Sequence, residues 1–465
     1  MNPLPSLAHA GRSNARGVAL AVLLECQKKE AFVQEVLDRH LREAVLFAAD
    51  RRLATQLAYG VLRRRGALDA LIKPLLGRPP DRVEAWLWDV LRLGAFQLAL
   101  LNHIPAHAAL FETVELTTSL GRPRAKGFVN GVLRALQSVL TDDFGTEPAA
   151  DALPFEAGRY RRLSRPVLPD PAAHRVEYLA SGFAWPAWLA ERWLPRFGWE
   201  ECLRLGFWFA GPAPLWLRVN ALRCQREDLL TACRGANIQT APGSFAHAVR
   251  LIEPAAIRDL PGYEQGWFSV QDESAMRVVE ALAPAPGSLV LDLCAAPGGK
   301  TSHLAEMMQN QGRVIACDVD ERRLTILKDS CRRLGIDIVE SRLLHAEKNE
   351  KPPPGPFDAV LVDVPCSNTG VLGKRPEARW RLRPKDFDHL VPLQTKLLLQ
   401  ACERVKPGGT VVYSTCSIEP EENQNVVTAV LQGMPDVVLE AEAKQLPGRP
   451  ADGGYWAKLR RQGRA

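Results

Sequence analysis

The chain has 465 residues, so two or three separately packed domains are expected rather than one core. Its formal charge of +6 is a modest basic excess that suits an acidic partner without amounting to a polybasic tail. Ten cysteines occur without a CxxC pair or regular spacing, which argues against a zinc ribbon or a disulfide framework and fits a reducing cytosol. The opening MNPLPSLAHAGRSNARG lacks the apolar run of a signal peptide, and no segment approaches the roughly 18 uncharged apolar residues of a membrane span. A soluble, cytoplasmic monomer that uses neither membrane nor metal is expected.

From Ala15 to about Leu140 apolar residues recur at helical spacing and β-branched runs are scarce, which predicts an all-α bundle. ARGVALAVLLECQ, AFVQEVLDRHL and DRRLATQLAYGVLRRRGALDALI are its first helices, the third with Asp50 placed as a cap. WLWDVLRLGAFQLALL, HAALFETVELTTSL and AKGFVNGVLRAL follow. Two basic clusters, Arg51, Arg52, Arg63, Arg64 and Arg65 on one helix and Arg122, Arg124 and Lys126 around a turn, suit phosphate contacts or a solvated helix face. The stretches DRRLATQLAYGVLRRRGALD, LRLGAFQLALLNHIPAHAALFETVELT and RAKGFVNGVLRAL resemble the NusB-type RNA-binding domain, with Gly127, Phe128, Asn130 and Arg134 in the places that family uses. The resemblance assigns residues 12–141 to binding and implies no chemistry there.

Residues 142–172 are rich in Pro, Asp, Ala and Arg without a sustained period and read as a linker. Residues 173–272 read as a helical and small α+β subdomain facing RNA. The pair of helices in WPAWLAERWLPRFGWEECLRLGFWFAG carries Trp185, Trp188, Trp193, Trp199 and Trp208, a spacing that favours core packing over base stacking. PLWLRVNAL is a strand, CQREDLLTACRGANI a helix, and further strands lie near 248–252 and 266–270.

Residues 273–465 alternate strand and helix. LVLDL, RVIACDVD, IDIVES, FDAVLVDVPCS and GGTVVYSTCS are strands, and the order predicts a doubly wound parallel, Rossmann-like sheet. The loop Cys294, Ala295, Ala296, Pro297, Gly298, Gly299 and Lys300 follows the first strand and is followed by a helix, so backbone N–H groups face a ligand at the strand's carboxyl end. It matches neither GxGxxG nor a P-loop. Asp318 at the tip of the second strand can accept both ribose hydroxyls of an adenosine compound, and loop and carboxylate together favour S-adenosylmethionine over a nucleoside triphosphate. Cys366 and Cys416 stand at the ends of neighbouring strands facing the same crevice. No histidine is placed as their base, so a thiolate adding to an electron-poor ring fits better than acyl transfer.

DLCAAPGGKT, DVPCSNTG, VKPGG and STCSIEPEEN resemble motifs of the Sun/nucleolar family of RNA cytosine-C5 methyltransferases, and LRVN and GWFSVQDESAMRVVEAL resemble segments that precede that family's cofactor sheet. With the NusB-like module in front, the architecture resembles the family's bacterial members that act on 16S ribosomal RNA. The resemblance implies methyl transfer from S-adenosylmethionine to C5 of a single-stranded or flipped-out cytidine. It implies Cys416 as the attacking thiolate and Cys366 as an aid to product release. Asp363 can hold the protonated N3 edge of the ring, and Lys300 supplies a cation near that ring or the cofactor's carboxylate. Asp363, Lys300 and the loop are therefore expected around the cofactor. The family usually carries an Asp after the third strand to bind the adenine amine; here His345 or Ser341 comes nearest, and Asn368 replaces a small residue. Transfer RNA as substrate, a non-catalytic assembly factor and a DNA cytosine methyltransferase are the alternatives; the DNA enzymes are expected to attack with the Pro-Cys cysteine, whereas the second cysteine here points to RNA.

Overall fold

A computed structural model describes residues 14–28, 31–253, 255–348 and 350–463. The opening segment judged not to be a signal peptide lies largely outside them. No helix of the described residues is long and apolar enough to cross a membrane. The chain packs as two units, residues 1–213 with 372–381, and residues 214–371 with 382–465.

The first unit contains the expected bundle: α1 (Ala15–Lys28), α2 (Val33–Glu43), α3 (Ala48–Ile72), α4 (Ala85–Leu100), α5 (Ala106–Ser119) and α6 (Lys126–Val139). α4 is buried on nearly every face and forms the bundle's axis, as expected of a helix apolar all round. Gly60 lets it approach α3, because a Cβ there would sit 2.0 Å from the Phe96 ring. α3 begins after Phe47, without a side-chain cap, so Asp50 lies inside the first turn rather than at the cap.

The expected linker is structured. β1 (Leu140–Gly145), β2 (Ala152–Glu156) and β3 (Arg159–Leu163) form an antiparallel sheet in the order β1-β3-β2. Leu153 and Leu163 join the bundle's core. α7 (Arg175–Gly182), α8 (Ala187–Phe197) and α9 (Trp199–Ala210) follow. Trp185 and Trp193 are buried, their rings edge to face at 5.0 Å, so these two are core, as their spacing predicts.

The arginine cluster on α3 is largely committed within this unit. Arg64 is 5% exposed and donates to the carbonyls of Pro154, Phe155 and Ala210; burial draws its pKa down to about 10. Arg63 donates to Gly373 O, Arg51 to Leu41 O, and Arg65 lies over the Trp380 ring. Of these five only Arg52 is exposed. The phosphate-contact expectation therefore fails for Arg64, whose guanidinium is consumed by the backbone. In the second cluster Arg124 is exposed, while Lys126 pairs with Glu115 at 2.8 Å.

Residues 372–381 belong to this unit although they lie far along the chain. Arg379, fully buried on the helical turn Ala378–Arg381, donates to the carbonyls of Arg63, Phe183, Phe209 and Leu372.

The second unit opens with β4 (Leu215–Val219), α10 (Arg226–Gly235), β5 (Thr240–Pro242), β6 (Ala248–Leu251) and β7 (Phe268–Val270). These strands form one antiparallel sheet in the order β5-β6-β4-β7. α11 (Glu273–Leu282), capped by Asp272, leads to β8 (Leu289–Leu293), α12 (Gly299–Met307), β9 (Arg313–Asp318), α13 (Glu321–Leu334), β10 (Val339–Leu343) and β11 (Phe357–Asp363). α14 (Phe387–Arg404), β12 (Val405–Thr415), α15 (Gln424–Gly433), β13 (Val437–Gln445) and β14 (Gly454–Arg461) complete the unit. The sheet order is β10-β9-β8-β11-β12-β14-β13. The first five strands are parallel, as expected, but β14 and β13 add an antiparallel edge. The sheet is therefore mixed. Its direction of winding reverses between β8 and β11, which opens a crevice at their carboxyl ends.

Candidate active site

The crevice is lined by the loop that leaves β8. Cys294 has φ +63°, Gly298 has φ +99°, and α12 starts at Gly299. A side chain at Gly298 would also bring a Cβ within 2.7 Å of Leu327, so both backbone conformation and packing require glycine there. Asp318, 5% exposed at the end of β9, accepts the N–H groups of Ala296 at 2.9 Å and Asp320 at 3.0 Å. Each oxygen keeps a lone pair beyond these bonds.

Beneath the loop lies Asp292, 1% exposed. Thr301 Oγ1 donates to its Oδ2 at 2.7 Å, while Oδ1 is buried without a hydrogen-bond partner. Burial pushes its carboxyl up to about 7, against the Thr301 bond, with neighbouring Asp363 and Asp318 adding to the rise. An acidic, partly unsatisfied floor under a loop with an acidic strand tip suits a cationic ligand bearing ribose hydroxyls. S-adenosylmethionine, with its sulfonium and ammonium, fits that description.

On the other side of the switch point, β11 and β12 run in parallel register with Asp363 opposite Ser414. Lys300 Nζ donates to Asp363 Oδ2 at 2.7 Å, and Ser414 Oγ to Oδ1 at 2.6 Å. Burial opposes the Lys300 charge, but Asp363, Cys416 and Asp292 outweigh it and hold its pKa above the ordinary lysine value. Cys366 and Cys416, 50 residues apart in sequence, meet with their sulfurs 3.2 Å apart. Asn368, at φ +61°, bridges them: its Oδ1 accepts from Cys416 Sγ at 3.3 Å and its Nδ2 donates to Cys366 O at 2.9 Å. The Cys366 thiol is pushed well above its ordinary value by its bond to Cys416, by burial, and by the charges of Cys416 and Glu422.

The structure thus gathers two groups from the expected site residues: Asp318 bonded to the loop, and Lys300, Asp363, Cys366 and Cys416 around the ends of β11 and β12. Cys294 lies within the loop, its thiol raised by burial and by Asp318 and Asp363, which leaves it neutral. Ser341 lies inside β10 opposite Ala316, not at its tip. The residue that follows the strand is Leu344, whose N–H bonds Asp318 O at 2.8 Å, and His345 N–H donates to Glu350. Sequence reasoning gave no site role to Asp292, to Asn368, which it noted only as replacing a small residue, or to Ser414. An acidic residue ending an apolar strand was the available signal for the first, and strand alternation places Ser414 on the Cys416 side for the last.

A mixed, mainly parallel sheet with this switch point, a Gly-rich loop and two facing thiols defines a Rossmann-like methyltransferase domain. A family model described as 16S rRNA methyltransferase RsmB/F matches residues 279–450, the NusB family matches 13–138, and an RsmF/B-like ferredoxin-like domain matches 185–258. The probable ribosomal RNA small subunit methyltransferase B of Bacillus subtilis is 33% identical over 91% of this chain and 90% of the relative. The ribosomal RNA small subunit methyltransferase B of Klebsiella pneumoniae is 36% identical over 88% and 90%. A crystal structure of a methyltransferase homologue from Pyrococcus horikoshii is 30% identical, with a TM-score of 0.54 over 62% of this chain and 99% of that one. This chain belongs to the ribosomal RNA small subunit methyltransferase B family.

Proposed function

We propose that the protein methylates C5 of a cytidine in 16S ribosomal RNA, using S-adenosylmethionine and a covalent cysteine adduct. The observation that carries the reading is the pair of thiols at 3.2 Å beside a Lys300–Asp363 pair. The names of the relatives support the ribosomal substrate. Cytosine C5 is too weak a nucleophile to accept a methyl group unaided. The Cys416 thiolate adds to C6, forming a C–S bond and placing enamine electron density on C5. Asp363 holds the N3 edge as the ring gains charge, with Lys300 and Ser414 fixing its carboxylate. Asp318, Asp292 and the loop 294–300 would hold S-adenosylmethionine, which supplies an electrophilic methyl on its sulfonium.

Cys366 changes state during this sequence. Before attack, the bond to Cys416 and the Cys416 charge hold its proton on. Once Cys416 has become a thioether both of its influences disappear, and Cys366, still raised by burial and Glu422, passes its proton to solvent water. It then takes the C5 proton of the methylated ring as the C6–S bond breaks and the Cys416 thiolate is released. Cys416→Ala should abolish methylation without an adduct, whereas Cys366→Ala should trap a protein–RNA adduct visible as a shifted band. An adduct lost in Cys366→Ala and kept in Cys416→Ala would reverse the roles. Bisulfite sequencing of 16S ribosomal RNA with and without the gene tests the substrate.

A further inference from the structure

Glu422 touches no reacting atom in the chemistry above, although its charge helps raise the Cys366 thiol, and its carboxylate is fully buried where the two cysteine loops meet. Its Oε1 accepts the Ser367 N–H at 2.8 Å and Gln394 Nε2 at 2.9 Å; its Oε2 accepts the Ser367 hydroxyl. Gln394 also donates to Pro365 O at 2.9 Å, which ties the loop on both sides of Cys366 to α14. Ser367 Oγ lies 3.1 Å from Ser417 Oγ, which lies 3.0 Å from Thr369 Oγ1. Tyr413 of β12 donates its hydroxyl to the Glu422 carbonyl. Ser367 and Ser417 each directly follow a cysteine, so the network reaches both sulfurs through one peptide unit.

We propose that Glu422 is a positioning residue that clamps the Ser367 and Ser417 loops together and so sets the approach of Cys366 to Cys416. The inference rests on the two-cysteine reading of the preceding section. A buried carboxylate carried by the Cys416 loop and satisfied by donors from the Cys366 loop and a helix is stiff, because movement of either loop strands a buried donor. The attacking and releasing sulfurs must serve one ring in turn, and a displacement of about 1 Å can cost a hundredfold in rate.

The test uses the full chain, with 16S ribosomal RNA and S-adenosylmethionine. Glu422→Ala should lower kcat by about a hundredfold, leave the KM for RNA and the Kd for S-adenosylmethionine within about threefold, and raise the trapped adduct fraction. Glu422→Gln keeps the shape and the Oε1 acceptor, so it should recover most of the rate, with the pH limb set by Cys366 moved to lower pH because the Glu422 charge that raises that thiol is gone. A Glu422→Gln variant as defective as Glu422→Ala would indicate an ionised role and overturn the proposal. So would Glu422→Ala at near-wild-type kcat. Should Glu422→Ala fail to fold by circular dichroism, Ser367→Ala removes only one hydroxyl; a folded variant with an unchanged adduct fraction and rate would overturn it equally. Cys416→Ala run alongside separates the two failures: activity in that variant sinks the cysteine reading, and its loss beside an active Glu422→Ala sinks only the clamp.

Discussion

Asp292 makes the folded state depend on pH in an unusual direction. Its carboxyl stands at about 7 because it is buried under the cofactor loop, against an unfolded value of 3.8. Between those values the folded chain binds a proton that the unfolded chain has lost. Stability from this group is therefore fully present below pH 3.8 and is lost as pH rises through 7. The difference is about three pH units, and at ~1.4 kcal/mol per unit it amounts to about 4 kcal/mol. Asp292→Asn cannot ionise and retains an acceptor for Thr301. The free energy of unfolding of the variant, minus that of wild type, should grow by about 4 kcal/mol from pH 4 to pH 8. Urea unfolding of both proteins across that range measures it, since all other titrations cancel in the difference. Parallel stability profiles for the two proteins would refute the assignment of the raised carboxyl to Asp292.

Two further predictions concern charges that hold the loop and the reacting pair. Arg218 of β4 is completely buried and reaches Glu306 at 2.7 Å, Gly299 O at 2.7 Å and Ser302 Oγ at 2.9 Å, so the antiparallel sheet braces the start of α12. Arg218→Met should destabilise the unit by about 3–5 kcal/mol by leaving Glu306 buried and unpaired, and Arg218→Met with Glu306→Met should recover part of that, both read by thermal melts. Asp363 holds the Lys300 pKa up, so in Asp363→Asn the ammonium should lose its proton at lower pH than in wild type. The residual rate should then fall on the alkaline side at lower pH than the wild-type limb; a limb that does not move would show that Lys300 does not act through Asp363.

The elements that were legible in the sequence are those in which local pattern and tertiary burial agree. β8, β9 and β11 read as apolar runs because a central parallel strand is covered on both faces. β13 was invisible because it is a sheet edge: from Leu439 to Lys444 its residues are exposed, so no apolar run marks it. The sheet at 140–163 was missed for a different reason. RYRRL reads as polar, yet Arg161 is 8% exposed, its guanidinium bonded to the carbonyls of Thr141, Leu98 and Ala99. A buried arginine satisfied by backbone oxygen cannot be told by composition from one facing water. The same ambiguity made the α3 cluster look like a phosphate surface.

The site divides along the same line. Cys366 and Cys416 were recognisable because each ends an apolar strand, and a strand's carboxyl end in a parallel sheet faces the ligand crevice. What the sequence could not supply was their separation, which depends on β11 and β12 being neighbours in a register that sets Asp363 opposite Ser414. From that pair the chain runs three residues to Cys366 and two to Cys416, and both loops then turn back over Glu422. Pairing of strands fixes where the loops begin, and a buried carboxylate fixes where they end. A thiol held at 3.2 Å from another is then a property of the sheet and the clamp together. Loosening the clamp while the strands stay paired should therefore alter the partition between adduct and product more than it alters binding.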